Sequence, residues 1–139
     1  MDIKINRIHS KKNLEHAFSI RRVVFCKEQK VSEEIEMDEF DDKSTHILAY
    51  IDNKPIGTAR WRLTEDGTKM ERFAVLKEYR GKGVGEALVK YTLKELKNCD
   101  FIYLYAQEIV IGFYEKFGFV AIGNRFYEAN IPHKKMILK

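Results

Sequence analysis

Three glycines at alternate positions, Gly81, Gly83 and Gly85, separate a strand-like apolar run from a long amphipathic pattern. Glycine removes side chains from a loop and lets backbone N–H groups approach a ligand closely. The helix expected after the loop adds unpaired N–H donors and the positive end of its dipole. Arg80 and Lys82 supply full positive charge at the same point. The segment therefore predicts a strand, a phosphate- or pyrophosphate-binding loop and a helix in succession.

The spacing of this loop differs from the two best-known phosphate motifs. The ATP- and GTP-binding pattern G-x-x-x-x-G-K-[ST] is absent, because Lys82 lies between two glycines and Glu86 follows the last one. The dinucleotide fingerprint G-x-G-x-x-G also fails, since the third glycine comes one residue early. The pattern that remains is R-x-x-G-x-G. Its functional interpretation is an anion-binding loop, and its structural interpretation is a tight turn before an ordinary helix.

The apolar pattern around the loop indicates one α/β domain. A length of 139 residues is that of a single domain, so we assign residues 1–139 to one. Alternating apolar runs bounded by turn residues predict strands, and periods near 3.6 predict helices. The expected strands are 3–8, 46–51, 56–63, 69–76, 101–106, 119–122 and 135–138, and the expected helices are 11–27, 84–96 and 109–117, with a short helix or ordered loop near 31–37. This order gives an α/β fold with a mixed sheet.

The distribution of charge argues against a nucleic-acid-binding protein. The net charge is +4, but the basic residues are scattered and form no basic stripe with interleaved aromatic residues. The acidic residues instead crowd into ten positions, as Glu33, Glu34, Glu36, Asp38, Glu39, Asp41 and Asp42. Such a segment can attract a cation to a nearby cleft, and a solvated charge cluster is the alternative.

Other features of the sequence limit location and chemistry. No apolar run approaches the ~20 residues of a transmembrane helix, and the N-terminus lacks a secretory apolar stretch. We therefore expect a cytoplasmic protein without a membrane partner. Cys26 and Cys99 lack CxxC spacing, so we expect them to be buried free thiols. No His/Cys cluster has metal-ligand spacing, and we expect no metal.

Two motifs in sequence order resemble the GNAT N-acetyltransferase superfamily. The first is the loop Arg80–Gly85 directly after the strand Met70–Leu76, and the second is Phe113–Phe119 after a further strand. Two flanking segments, Phe25–Gln29 and Ile131–Met136, are similar to a group of small bacterial members whose substrates are mostly unassigned. The resemblance implies a mixed, largely antiparallel central sheet of six to seven strands flanked by about four helices.

The resemblance also implies how a donor, acetyl-CoA, is held. In similar enzymes the amides of the R-x-x-G-x-G loop bind the pyrophosphate, here at Arg80, Gly81, Lys82, Gly83, Val84 and Gly85. The end of the preceding strand pairs with the pantetheine arm through its backbone, here at Phe73, Ala74 and Val75. The tyrosine of the second motif, here Tyr114, lies near the sulfur and protonates the departing thiolate. Many relatives carry Asn seven residues before that tyrosine. This chain has Gln107, which offers the same donor and acceptor on a longer arm.

Transfer to an amine also needs a group that accepts the amine's proton. Glu71 is the leading candidate, because related enzymes often place Glu on this strand, and a solvent-facing residue is its structural alternative. Asp38 or Asp41 could instead bind and steer a cationic amine. His133 is a further candidate base, with a strand-edge residue as its alternative. Tyr114 has an alternative role too, in packing its helix onto the sheet.

These observations predict an N-acetyltransferase that moves an acetyl group from acetyl-CoA to a primary amine of a small molecule or peptide. We expect direct transfer in a ternary complex, without a covalent enzyme intermediate, because neither cysteine lies in a motif that would activate its thiol. The alternative is a non-catalytic acyl-CoA-binding sensor or subunit that uses the same loop. Exposed edge strands make a homodimer possible.

Overall fold

Seven strands and four α-helices lie within residues 2–139, the part of the chain that the computed structural model describes. The strands are β1 (Ile3–Arg7), β2 (Thr45–Ile51), β3 (Lys54–Thr64), β4 (Gly67–Val75), β5 (Ile102–Gln107), β6 (Phe119–Glu128) and β7 (Ile131–Leu138). The α-helices are α1 (Lys11–Arg21), α2 (Glu33–Glu36), α3 (Val84–Glu95) and α4 (Ile111–Glu115). Alpha-helix α1 continues as a π-helix over Arg22–Glu28, and short 3-10 turns cover Glu39–Lys43, Lys77–Tyr79 and Glu108–Val110.

All seven strands form one sheet in the order β1-β2-β3-β4-β5-β7-β6. The first four strands are antiparallel neighbours, and the short turns at 52–53 and 65–66 close the hairpins β2–β3 and β3–β4. Strands β4 and β5 are parallel, because α3 crosses from the end of one to the start of the other. Strand β7 then inserts between β5 and β6, antiparallel to both. The predicted mixed, largely antiparallel sheet with about four helices is confirmed.

Apolar clusters cover both faces of the sheet. On the face that carries α3 and α4, Val84 and Leu88 pack against residues such as Trp61 and Leu104. On the opposite face, which we call the α1 face, a smaller cluster unites Ala17, Ile20, Val24, Leu48 and Ala74. Because β2 sends Ile47 to the first cluster and Leu48 to the second, the strand is buried on both sides.

The parallel pair β4–β5 separates halfway along its length. Only Thr68, Lys69 and Met70 pair with β5. Beyond them the register between β3 and β4 shifts, and Arg72 adopts a positive φ of 57°. An extra residue of this kind bends a strand away from its neighbour. The two strands therefore open a cleft in the middle of the sheet.

The boundaries differ from the sequence expectations most at the last two strands, where β6 extends to Glu128 and not 122 and β7 begins at Ile131 and not 135. They also differ at two helices that change type. The expected helix 11–27 is α-helical only to Arg21, and the expected helix 109–117 is a 3-10 turn followed by α4. Both cysteines are free, as expected, but neither is buried: Cys26 is half-buried, and Cys99 is exposed because it lies in the turn before β5. Within residues 2–139, none of the helices combines the length and apolar character needed to cross a membrane.

Candidate active site

The cleft between β4 and β5 widens into a cavity of about 1040 Å³. One end lies at the glycine loop that precedes α3, and the other end lies on the α1 face beside the turn between β6 and β7. All of the residues that the sequence proposed for a site line this cavity except Lys82 and Asp41. Its size exceeds that of a typical drug-sized pocket, so it can hold an extended ligand.

Two unpaired strand edges face each other across the cavity. On β4, Ala74 and Val75 pair with β3 on one side, and no residue from Glu71 onward pairs with β5 on the other. On β5, Tyr105, Ala106 and Gln107 pair with β7 and have no partner on β4. Unpaired peptide groups of this kind can bind an extended molecule as an additional strand. Phe73, Ala74 and Val75 thus occupy the edge where the resemblance placed the pantetheine arm.

The glycine loop presents open backbone at the start of α3. Gly81 and Gly83 have positive φ values of 76° and 87°, and no atom lies within 4 Å of a Cβ added at either position. Gly83 caps the helix without any side-chain hydrogen bond to its N–H groups. The first-turn N–H groups of α3 are therefore available to an anion. Gly85 has a different role, since a Cβ there would lie 3.4 Å from the ring of Phe113.

The two cations of the loop differ in position. The Arg80 guanidinium forms a two-pronged ion pair with Glu28, at 2.9 and 2.8 Å, and its Nε donates to the Val75 carbonyl. Lys82 is exposed and does not line the cavity. Arg80 thus ties the loop to the end of β4 and to the π-helix, whereas Lys82 adds positive charge outside the cavity.

Tyr114 lies on α4 with its ring against the splayed edge of β4. It is 8% exposed and makes edge-to-face contacts with Phe73, Phe113 and Phe119. Burial raises the pKa of its phenol above the ordinary value. The hydroxyl therefore stays protonated at neutral pH and can act only as a proton or hydrogen-bond donor to an anion that forms in the cavity.

The side chain of Gln107 reaches across the mouth of the cleft. Its Nε2 donates to Oε1 of Gln29 at 2.9 Å, which joins the end of β5 to the end of the π-helix. Both residues line the cavity. The longer arm of Gln at this position is thus used to span the cleft.

Asp38 and Asp41 do not offer free carboxylates to a cationic amine. Asp38 accepts two bonds from Arg60 at 2.8 Å and one from Arg72 at 3.1 Å. Asp41 binds Arg21 and Arg60 and lies outside the cavity. Burial alone would raise the pKa of Asp38, but the hydrogen bonds and charge of Arg60, reinforced by Arg72, lower it to about 2. The expectation that Asp38 or Asp41 steers a cation is therefore corrected, because arginines neutralise both.

Glu71 faces the cavity from β4 but is surrounded by cations. It is 9% exposed, and its oxygens accept from Arg62 Nε at 2.7 Å, Arg60 Nε at 3.2 Å and Lys69 Nζ at 3.0 Å. Burial raises its pKa, but the bond from Arg62 and the charges of Arg60 and Lys69 dominate, and the pKa is about 2. A carboxylate this acidic is a weak base, so the geometry argues against Glu71 as the proton acceptor.

His133 is placed more favourably for that role. Its Nδ1 lies 2.7 Å from the Ile131 carbonyl, and its ring stacks on Phe126. Because a carbonyl only accepts, Nδ1 carries the proton, and Nε2 of the neutral ring keeps its lone pair. Nε2 lies 3.9 Å from a carboxylate oxygen of Glu128, and both residues line the cavity.

Lys69 is a cavity residue that the sequence does not single out, whereas Arg62 is one of two arginines on a central strand, with Arg60, that could be expected to line an acceptor site. A signal for them existed in the turn between β3 and β4. A hairpin closing at Thr64 and Gly67 places Arg62 opposite Lys69 and Arg60 opposite Glu71, and this is the observed register. The hairpin rule alone could therefore have predicted three cations around one carboxylate.

Comparison with known proteins agrees with this geometry. The family model described as an acetyltransferase (GNAT) domain matches residues 10–139. The chain is 40% identical to the uncharacterised protein YyaT of Bacillus subtilis, over 96% of this chain and 94% of the relative. It is 39% identical to the uncharacterised N-acetyltransferase YjcF of the same organism, over 92% and 94%. The crystal structure of an acyl-CoA N-acyltransferase from Pseudomonas aeruginosa superimposes with a TM-score of 0.88 at 25% identity, covering 99% of this chain and all of that one.

The charge environment of Glu71 predicts a specific pH dependence of stability. Its folded-state pKa of about 2 lies below its ordinary value of 4.5, so it stabilises the fold above pH 4.5 and this contribution fades as the pH falls toward 2. The variant Glu71→Gln should lower the free energy of unfolding by about 3 kcal/mol near pH 6 and by much less near pH 3. Urea unfolding at the two pH values measures the difference. Glu34→Gln, at an exposed position, is the control. An equal deficit at both pH values would contradict the charge assignment.

Proposed function

Because the chain belongs to the GNAT acetyltransferase family, a family of acyltransferases, we propose that it transfers an acetyl group from acetyl-CoA to a primary amine of a small molecule or peptide. The observation that carries the proposal is the continuous cavity from the glycine loop, along the unpaired edge of β4, to Tyr114. An anion site, a strand-like groove and a proton donor follow one another in the order needed to hold and discharge a coenzyme A thioester.

The donor would lie along elements that this chain provides through its backbone. The pyrophosphate would accept from N–H groups of the loop and the first turn of α3, where the glycines leave open space. The pantetheine amides would pair with the edge at Phe73–Val75. An N–H of that edge would bond the thioester oxygen and stabilise the negative charge that develops on it.

Two side chains of the cavity account for the two proton transfers of the chemical step. The amine nitrogen attacks the thioester carbon, so a C–N bond forms and the C–S bond breaks. The departing thiolate takes the proton of the Tyr114 hydroxyl, and the amine proton passes to Nε2 of His133. His133 replaces Glu71 as the proposed base, since Glu71 is held as an anion by three cations. Transfer is direct, in a ternary complex.

The glycine loop can be tested with a matched pair of substitutions. Gly83→Asp places a carboxylate where the pyrophosphate is proposed to bind, and we expect the Kd for acetyl-CoA to rise at least about tenfold through repulsion and blockage. Gly123→Asp is the control, because Gly123 also has a positive φ, of 75°, and open space around its Cβ position but lies on β6. Calorimetric titration with acetyl-CoA measures both. Equal affinity in the two variants would remove the basis of the proposed function.

Tyr114→Phe tests the proton donor. The phenyl ring keeps the packing against Phe73 and Phe119, and the hydroxyl alone is lost. We expect kcat to fall about a hundredfold, as for a general acid, while the Kd for acetyl-CoA changes less than threefold. Thiol release and calorimetry give the two values. A variant with full turnover would make Tyr114 a packing residue only.

His133→Gln and Glu71→Gln compare the two candidate bases. The proposal predicts that His133→Gln lowers kcat about a hundredfold with the folded state intact, and that His9→Gln, an exposed control, does not. Thiol release at saturating amine is the measurement. Normal kcat in His133→Gln together with a loss in a folded Glu71→Gln protein would return the role to Glu71.

A further inference from the structure

The end of the cavity on the α1 face holds two cations that share one carboxylate. Arg62 and Lys69 both bond Glu71, at 2.7 and 3.0 Å, and their side chains are 15% and 12% exposed. The Arg62 guanidinium lies 3.8 Å from the ring centre of Phe40, and Lys69 Nζ lies 3.9 Å from that of Tyr105. Cations held against aromatic faces in this way are partly stripped of water and fixed in position.

Charge on this face is not balanced among the residues that surround Glu71. Five cationic side chains, Arg21, Arg60, Arg62, Lys69 and Arg72, meet four carboxylates, Glu36, Asp38, Asp41 and Glu71. Arg21 and Arg60 are occupied by the acidic segment. Within residues 2–139, Arg62 and Lys69 pair with no carboxylate other than Glu71, which also binds Arg60. The surplus of one positive charge therefore falls on the two side chains that face the cavity.

A second wall at this end of the cavity carries a carboxylate and an imidazole. Glu128 and His133 line it beside the turn between β6 and β7. One wall is thus suited to an anion and the other to an amine and its proton. Val31, Ile35 and Ile131 are among the apolar residues that line the cavity.

We propose that the acceptor is an aminocarboxylate with an apolar body, of the class of hydrophobic amino acids. Its carboxylate binds Arg62 and Lys69, and its amine lies toward His133 and Glu128. A single surplus charge matches a carboxylate better than a dianionic phosphate, and the remaining N–H groups of Arg62 and Lys69 supply charge-assisted hydrogen bonds. This assignment of the acceptor rests on the proposed acetyl transfer.

The test compares amines that differ only by the carboxylate. The pairs are L-phenylalanine with phenethylamine and L-leucine with 3-methylbutylamine, and kcat/KM is expressed per concentration of unprotonated amine. We expect the acids to be at least about tenfold better substrates, and we expect Lys69→Gln to reduce that ratio about tenfold. Lys135→Gln is the control, because Lys135 stacks on Tyr103 on the same face but does not line the cavity. Equal kcat/KM within each pair, or an unchanged ratio in Lys69→Gln, would overturn the proposal.

A binding measurement separates this proposal from the proposed function. N-acetyl-L-phenylalanine and N-acetylphenethylamine are titrated into the protein with saturating coenzyme A, or without it if coenzyme A does not bind. Tighter binding of the acid by about tenfold, lost in Lys69→Gln and kept in Lys135→Gln, supports the carboxylate site. Equal binding of the two compounds refutes it. Failure of coenzyme A to bind refutes the proposed function. Titration of the two compounds into the protein without coenzyme A then still tests the carboxylate site.

Discussion

The buried guanidinium of Arg60 makes the contacts on which the end of the cavity at Glu71 depends. It has no exposed surface and bonds carboxylates from three places in the chain, Asp38, Asp41 and Glu71. Loss of one partner from a buried ion pair costs about 3–5 kcal/mol, because the remaining charges keep their desolvation penalty. Arg60 therefore fixes the segment around residues 38–41 over the sheet and sets the position of Glu71. Glu71 in turn holds the two cations that face the cavity.

The opening between β4 and β5 is coupled to the same charges. Arg72 occupies a left-handed backbone conformation, which costs a non-glycine residue about 1–3 kcal/mol. Its side chain bonds Glu36 at 2.9 Å and Asp38 at 3.1 Å, and these contacts offset the strain. The residue that bends β4 away from β5 is therefore held in place by the segment that covers the α1 face. One set of ion pairs thus positions both the acceptor wall and the unpaired edge proposed to bind the donor.

How much of the structure could be predicted from the sequence depends on how far apart in the chain the interacting residues lie. The glycine loop, the order of strands and helices and the motif around Tyr114 depend on neighbours in the chain, and local patterns are enough to recognise them. The role of the acidic segment depends on Arg21, Arg60 and Arg72, which lie up to 36 residues from their partners. Charge crowding along the chain therefore suggested a surface for cations, whereas in the fold arginines neutralise Glu36, Asp38 and Asp41. The bulge at Arg72 could not be predicted from the sequence either, because its left-handed conformation is set by tertiary ion pairs and not by residue preference.

One half of the cavity is lined mainly by backbone groups and the other half mainly by charged side chains. The proposed donor half consists of peptide groups at the glycine loop and the β4 edge. The proposed acceptor half consists of side chains, and its net charge depends on how many carboxylates the segment at 33–43 supplies to the arginines. Removal of one such carboxylate adds a positive charge to that half, and addition of one cancels the surplus. Exchange of Asp41, which bonds Arg21 and Arg60 but not Arg72, can therefore change the charge of the proposed acceptor half while the ion pairs that hold the bend of β4 stay in place.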